Sequence, residues 1–334
     1  GGTETAFMIG EYDGFDAGAA RVRQLRSVAG RIGLTMLFHT LLFNMLFATA
    51  VVIDDPLRAA AAAHPGAFGG YAADIASGVV EICFYLLAFM ILVAFFRLIS
   101  PRRTVEPMRL GVRLTSDTLA VVLFGIAVTV GASYVNYYML LPFGSSSADV
   151  EELPTNAVGV IISFISTALV PAVCEEFLFR GCILSNLLPF GKKTAVIGSA
   201  VLFALMHNNT RQFFYTAAAG IVFGLVYIET GSIWAGTFIH LFNNFFAVID
   251  EAVQATVAPE YAAAISLLGN VLVITAGLVS GVYLVFRRAG KRTDGSQPQP
   301  IVPGEECGTL KSFFTPAMIT YFAVALLAAV MNML

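Results

Sequence analysis

An all-α, polytopic transmembrane helix bundle of about 8–9 spans is the architecture this sequence predicts. Three observations carry that expectation. Of 334 residues, 57% are hydrophobic and only 12% charged, with a mean hydropathy of +0.80, whereas soluble domains carry roughly 25% charged residues. The apolar residues fall into runs near the ~20 residues that a bilayer core requires. Basic and acidic residues alternate between successive connecting loops, as expected for a chain that crosses a membrane repeatedly.

Nine candidate segments follow in order: 32–53, 75–96, 117–141, 157–188, 194–210, 213–229, 231–249, 263–286 and 312–334. The first is preceded by Arg21, Arg23, Arg26 and Arg31, and followed by Asp54 and Asp55. Arg97, Arg102, Arg103, Arg109 and Arg113 separate the second from the third, and Asp149, Glu151 and Glu152 the third from the fourth. Lys192 and Lys193 precede the fifth, which a short polar turn holding the lone Arg211 joins to the sixth. Asp250, Glu251 and Glu260 lie between the seventh and eighth; Arg287, Arg288, Lys291 and Arg292 follow the eighth. This distribution predicts a cytoplasmic N-terminus. The stretch TDGSQPQPIVPGEECG reads as a linker before the ninth segment.

Composition also excludes classes. No basic face with interleaved aromatics points to nucleic acid. Cys83, Cys174, Cys182 and Cys307 form no CxxC pair or disulfide framework. The start is Gly-rich and acidic, and the first apolar run is too long for a signal-peptide core, so no signal peptide is expected. The pair Gly220 and Gly224 has the spacing of a close helix contact, and Gly131 is assigned to helix packing.

The informative stretch is PAVCEEFLFRG, residues 171–181. Each charge inside a membrane helix costs about 2.5–3.5 kcal/mol on insertion scales. Glu176 and Arg180 stand four apart, on one face, and can pair. Glu175 points about 100° away, and its i+4 neighbour is Phe179, so it has no local partner. A carboxylate without a counter-ion in a dry segment is a candidate general base. FALMHNN then places His207 one turn after Phe203, and FIHLFNN places His240 and Asn244 one turn apart. His39 stands alone in the first segment and reads as structural. Counted from the inner ends of their segments, Glu175, His207, His240 and Asn244 all lie roughly 15–21 Å deep, as a shared site requires. Pro171 should kink its helix and free a backbone carbonyl nearby.

EEFLFR, FALMH and HLFNN resemble, in order, the EExxxR, FxxxH and HxxxN motifs of the CPBP family, the CAAX-protease and bacteriocin-processing (Abi-type) intramembrane proteases that include the type II CAAX prenyl endopeptidases. The resemblance covers roughly residues 157–249 and implies a four-helix catalytic core in a glutamate-dependent endopeptidase. Glu175 would activate water, His207 would hold it, and His240 and Asn244 would stabilise the oxyanion. Glu176, Arg180 and Phe203 would support them. Implied partners are the lipid bilayer and a membrane peptide or lipidated protein: prenylated CAAX-like, pheromone or bacteriocin precursor. No cofactor is expected; a zinc-dependent form would use Glu175, His207 and His240 as ligands, although HExxH is absent. A scaffold or immunity factor that keeps the motifs without catalysis is the rival reading. A carrier is weaker, because inverted repeats are not visible.

The expected division is 1–30 cytoplasmic, 31–150 N-terminal transmembrane helices, 151–250 protease core, 251–290 a C-terminal transmembrane helix, 291–311 a linker and 312–334 a last helix. A bacterial cytoplasmic membrane is the expected location.

Overall fold

We describe a computed structural model of the chain. The described residues are 3–64, 66, 71–100, 108–112, 114–143, 156–289 and 310–331; the side chains of 3–17, 288 and 310 are not among them. Outside the description therefore lie Arg102, Arg103, Arg113, Asp149, Glu151, Glu152, Lys291, Arg292, Cys307 and most of the linker. The side chains of the acidic N-terminus and Arg288 lie outside it too.

The described residues form helices and no strand. They are α1 (Thr3–Ala62), α2 (Ala72–Ile99), α3 (Ser116–Leu140), α4 (Ala157–Phe190), α5 (Lys192–Met206), α6 (Phe213–Thr230), α7 (Ile233–Thr256), α8 (Pro259–Ala289) and α9 (Pro316–Met331). Each of the nine apolar segments coincides with one of these. The fold is a helical membrane bundle, and the chain is a multi-pass integral membrane protein.

By length and composition alone, not all nine helices meet the requirements of a span. Among the described residues six helices are long and apolar enough to cross a bilayer: α1 from Gly18, α2, α3, α4, α6 and α8 to Arg287. The remaining three fall short for physical reasons. α5 has 15 residues and α9 has 16, or about 22–24 Å at 1.5 Å per residue, less than the ~30 Å hydrocarbon core. α7 has 24 residues, but His240, Asn243, Asn244 and Asp250 make it too polar.

α4 is the element on which the site depends, and it is not a uniform α-helix. Residues Phe164–Leu169 and Phe177–Leu184 wind as π-helix, on either side of the α-helical Val170–Glu176. Such wide turns leave carbonyls without their usual i+4 donors. Pro171 cannot supply an N–H, and the carbonyl one turn before it, Thr167, is taken instead by Asn244 Nδ2 at 3.2 Å. In the second π-turn, Ser199 Oγ of α5 donates to Phe179 O at 3.2 Å, and Ser185 Oγ to Arg180 O at 2.6 Å. The kink expected from Pro171 is thus a pair of widened turns, with side chains satisfying the freed carbonyls.

Around α4 the helices pack in pairs: α1 with α2 and α9, α3 with α8 and α6, α5 with α6, and α7 with α4 and α6. Glycines set the closest approaches. A Cβ on Gly220 would sit 2.9 Å from the Ala200 Cα, so α5 and α6 touch backbone to backbone there, as the Gly220/Gly224 spacing predicts. A Cβ on Gly33 would sit 2.6 Å from Met318 N, which seats α9 on α1. Gly131 behaves otherwise. No atom lies within 4 Å of a Cβ built there, so it faces open space and its assignment to helix packing is corrected.

Candidate functional site

Glu175 and Glu176 end the α-helical middle of α4, and both are buried, at 4% and 0% exposure. Glu176 behaves as its spacing predicts. Its Oε1 accepts from Arg180 Nη1 at 2.8 Å, with both side chains fully buried. Arg180 Nη2 donates to Gly220 O at 2.9 Å, and its guanidinium carbon lies 4.9 Å from the Phe203 ring centroid and 5.0 Å from that of Phe223. The charge is thus held by one carboxylate, one carbonyl and two aromatic faces, which lowers the cost of burying it.

His240, on α7, joins the two glutamates. Its Nδ1 lies 3.3 Å from Glu176 Oε1 and its Nε2 lies 3.8 Å from Glu175 Oε2. The ring stacks on Phe223 with centroids 5.1 Å apart and meets the edge of Phe203 at 5.6 Å. Gly236, one turn earlier, permits this approach, because a Cβ there would stand 3.2 Å from Glu176 Oε2. A carboxylate only accepts, so Nδ1 carries the proton it shares with Glu176.

His207 arrives from α5, at the residue that caps its C-terminus. Asn208 follows at φ 48°, a left-handed conformation that asparagine tolerates, and ends the helix there. His207 Nδ1 donates to Phe203 O at 2.8 Å. Nε2 of the neutral ring is therefore an acceptor, and it faces Glu175 Oε2 at 3.9 Å. Phe203 packs edge-on against the same ring, at 4.9 Å between centroids.

Glu175, His207 and His240 are thus brought together around one atom. Glu175 Oε2 is buried and has no hydrogen-bond partner among the described residues, while two Nε2 atoms stand just beyond bonding distance. Asn244 is placed differently. Its amide is engaged with Thr167 O, leaving a second N–H. Glu176, Arg180 and Phe203 all touch the cluster, as described above. His39 is buried and stacked on Phe43 at 4.2 Å, and Phe43 in turn meets Tyr85 edge-on.

One expectation is corrected. Glu175 has a partner, but not on its own helix: Tyr85 of α2 donates its hydroxyl to Glu175 Oε1. The depth count that groups the other residues also selects Tyr85, which stands fourteen residues before the end of α2 at Ile99, about 21 Å. Phe223 and Gly236 carry no comparable signal in the sequence. As to metals, Glu175 and the two histidines are the candidate ligand set; among the described residues no three His, Cys, Asp or Glu side chains are arranged to hold an ion.

Fold and site define a class: a helical membrane protein with a buried acid facing two imidazoles. Comparison with known proteins agrees. Residues 157–246 match the family described as Type II CAAX prenyl endopeptidase Rce1-like, so the resemblance read from the three motifs is shown for this stretch, which contains all of the motif residues. The chain is also 29% identical over 122 residues to a Bacillus subtilis (strain 168) protein named "Putative membrane peptidase YdiL". That match covers 35% of this chain and 48% of the relative, about half its length. No solved structure matches the chain.

Proposed function

We propose that this protein is an intramembrane endopeptidase that hydrolyses a peptide bond of a membrane-associated substrate, with water activated by Glu175. The observation that carries the reading is the placement of Glu175 Oε2 3.9 Å from His207 Nε2 and 3.8 Å from His240 Nε2. Two hydrogen bonds of about 2.8 Å that meet at one water oxygen at roughly 90° span such a gap. A water there gives one hydrogen to Glu175 Oε2 and the other to His207 Nε2.

Glu175 takes the proton as the water oxygen bonds to the substrate carbonyl carbon. The developing oxyanion accepts from the second N–H of Asn244 and from Nε2 of a protonated His240. Because His240 Nδ1 already donates to Glu176, only the doubly protonated ring has a donor left. The tetrahedral intermediate collapses as the C–N bond breaks, and Glu175 returns its proton to the leaving nitrogen.

Prenylated CAAX-like proteins, pheromone precursors and bacteriocin precursors are the substrate classes consistent with the match. The arginines in the first half of α1 (Arg21, Arg23, Arg26 and Arg31) favour a cytoplasmic N-terminus, in a bacterial cytoplasmic membrane. The test uses the full chain in proteoliposomes with quenched-fluorescent membrane peptides. Glu175→Gln is expected to lower kcat by about 10²–10⁴-fold without loss of folding. Equal cleavage by the variant would sink the reading and leave the scaffold alternative. Activity lost to a chelator and restored by Zn²⁺ would replace it with the zinc-dependent form, in which Glu175, His207 and His240 would hold the ion, which would supply Lewis-acid chemistry.

A further inference from the structure

A cleft of about 780 Å³ lies among α1, α2 and the first half of α4. Its floor reaches the site at two points. Tyr85 lines it and donates to Glu175; Thr167 lines it, and its carbonyl takes Asn244. Phe43, Phe47 and Phe84 supply apolar wall. The far end is acidic: among the described residues Asp54, Asp55 and Asp74 line it with one guanidinium, Arg58, which pairs with Asp54 at 2.5 Å, while Ser77 also donates to Asp54 and Asn156 to Asp74.

The opposite approach to Glu175 is closed. Residues 178–188 of α4 are all buried. Met108 packs against Gly181, where a Cβ would meet its sulfur at 2.9 Å. The carbonyls of Arg109 and Leu110 accept from Ile233 N and Trp234 Nε1, both at 3.0 Å, which ties this segment across the start of α7. By contrast, most of α4 before Pro171 is only partly buried.

Resting on Glu175 as the base, we propose that this cleft receives the substrate as an extended peptide segment, apolar side chains along the wall, with a lysine or arginine held at the acidic mouth about five residues from the bond that is cut. The spacing comes from the structure's own ruler. Asp74 precedes Tyr85 by eleven residues of α2, about 16 Å along the axis, and an extended chain advances about 3.3 Å per residue. Three carboxylates beside one guanidinium leave a negative mouth that selects a cation. Substrate enters from the end of the bundle that carries Asp54 and Asp74, not from the end that carries Arg97 and Arg109.

The test uses full-length protein in proteoliposomes and apolar quenched-fluorescent peptides bearing one lysine, stepped position by position, beside the lysine-free parent. The expected profile peaks with lysine about five residues from the cut, with kcat/KM about fivefold above the parent, the upper end for a partly exposed ion pair. Asp55→Asn and Asp74→Asn should flatten the peak through KM rather than kcat. Asp55 is exposed, so its variant is not expected to disturb folding. A second arm measures binding of the same peptides to Glu175→Gln by fluorescence anisotropy and expects the same carboxylate dependence. A profile indifferent to lysine position, or a peak that survives both Asn variants, overturns the cleft assignment. Absence of cleavage by the native protein, with lysine-dependent binding retained, overturns the hydrolytic reading and leaves the cleft standing.

Discussion

In the proposed mechanism, Tyr85 decides which oxygen of Glu175 acts as the base. By donating to Oε1 it leaves Oε2 as the acceptor that faces both imidazoles. Hydrogen bonds to charged groups are worth about 1.5–3 kcal/mol, so Tyr85→Phe should lower kcat about tenfold or more while KM stays near its native value. Steady-state kinetics on one peptide substrate reads this split, and a rise in KM with kcat unchanged would assign Tyr85 to substrate binding instead. The EExxxR, FxxxH and HxxxN residues were legible in the sequence because each motif lies within one helix, where a spacing of four means a shared face. Tyr85 belongs to another helix, ninety positions before Glu175. Its hydroxyl in an apolar span, at the same depth as the motif residues, was its only mark. Its absence from the motif set explains why Glu175 reads as lacking a partner until α2 is packed beside it.

Among the elements, the α5–α6 contact shows how packing reaches the site. Gly220 touches the Ala200 backbone and also supplies the carbonyl that Arg180 binds. Adding a methyl must push α6 away from α5, because the obstacle is backbone rather than a flexible side chain. Gly220→Ala should cost about 1–3 kcal/mol of stability, seen as a lower thermal midpoint, and should loosen Arg180 as well. An unchanged midpoint would mean that the helices separate there without cost. The Gly220/Gly224 spacing was readable beforehand, since small residues four apart are needed wherever two helices approach closely. The π-turns of α4 were not. Pro171 announced a missing donor, but whether the chain bends, breaks or widens depends on which side chains can reach the freed carbonyls. Those are Asn244 and Ser199, on two other helices.

At the scale of the whole molecule, the bundle has a long-helix frame and a short-helix interior. Six helices satisfy the length and polarity of a span, whereas α5 and α7, which carry the histidines, do not. Hydropathy located all nine segments; it registers apolar content and not where a helix stops, so it says less about which of them are long enough to span by themselves. Asn208 halts α5 just past His207, and α7 trades apolar residues for the polar groups of the site. The last helix packs mainly on α1, with Met318 and Tyr321 buried against the bundle and its seat on Gly33 of α1. Gly33→Leu should therefore release α9. Limited proteolysis is expected to remove residues 310–331 faster than in the native chain, while peptide cleavage at Glu175 persists. Equal proteolysis would show that α9 finds another seat, and lost cleavage would tie it to catalysis.

The widened turn at Phe164–Leu169 amounts to one residue more than a regular helix would hold over the same rise. Removing Ser166 would let the backbone close its ordinary ladder and would rotate everything before it by about 100° relative to Glu175. The shortened protein should then withstand heat better while processing nothing, since the wall formed by Gly159 and Ile162 would swing away from Tyr85. In that sense the surplus residue works as a phase shifter, holding two halves of one helix out of register so that a reactive carboxylate and the groove leading to it can face each other.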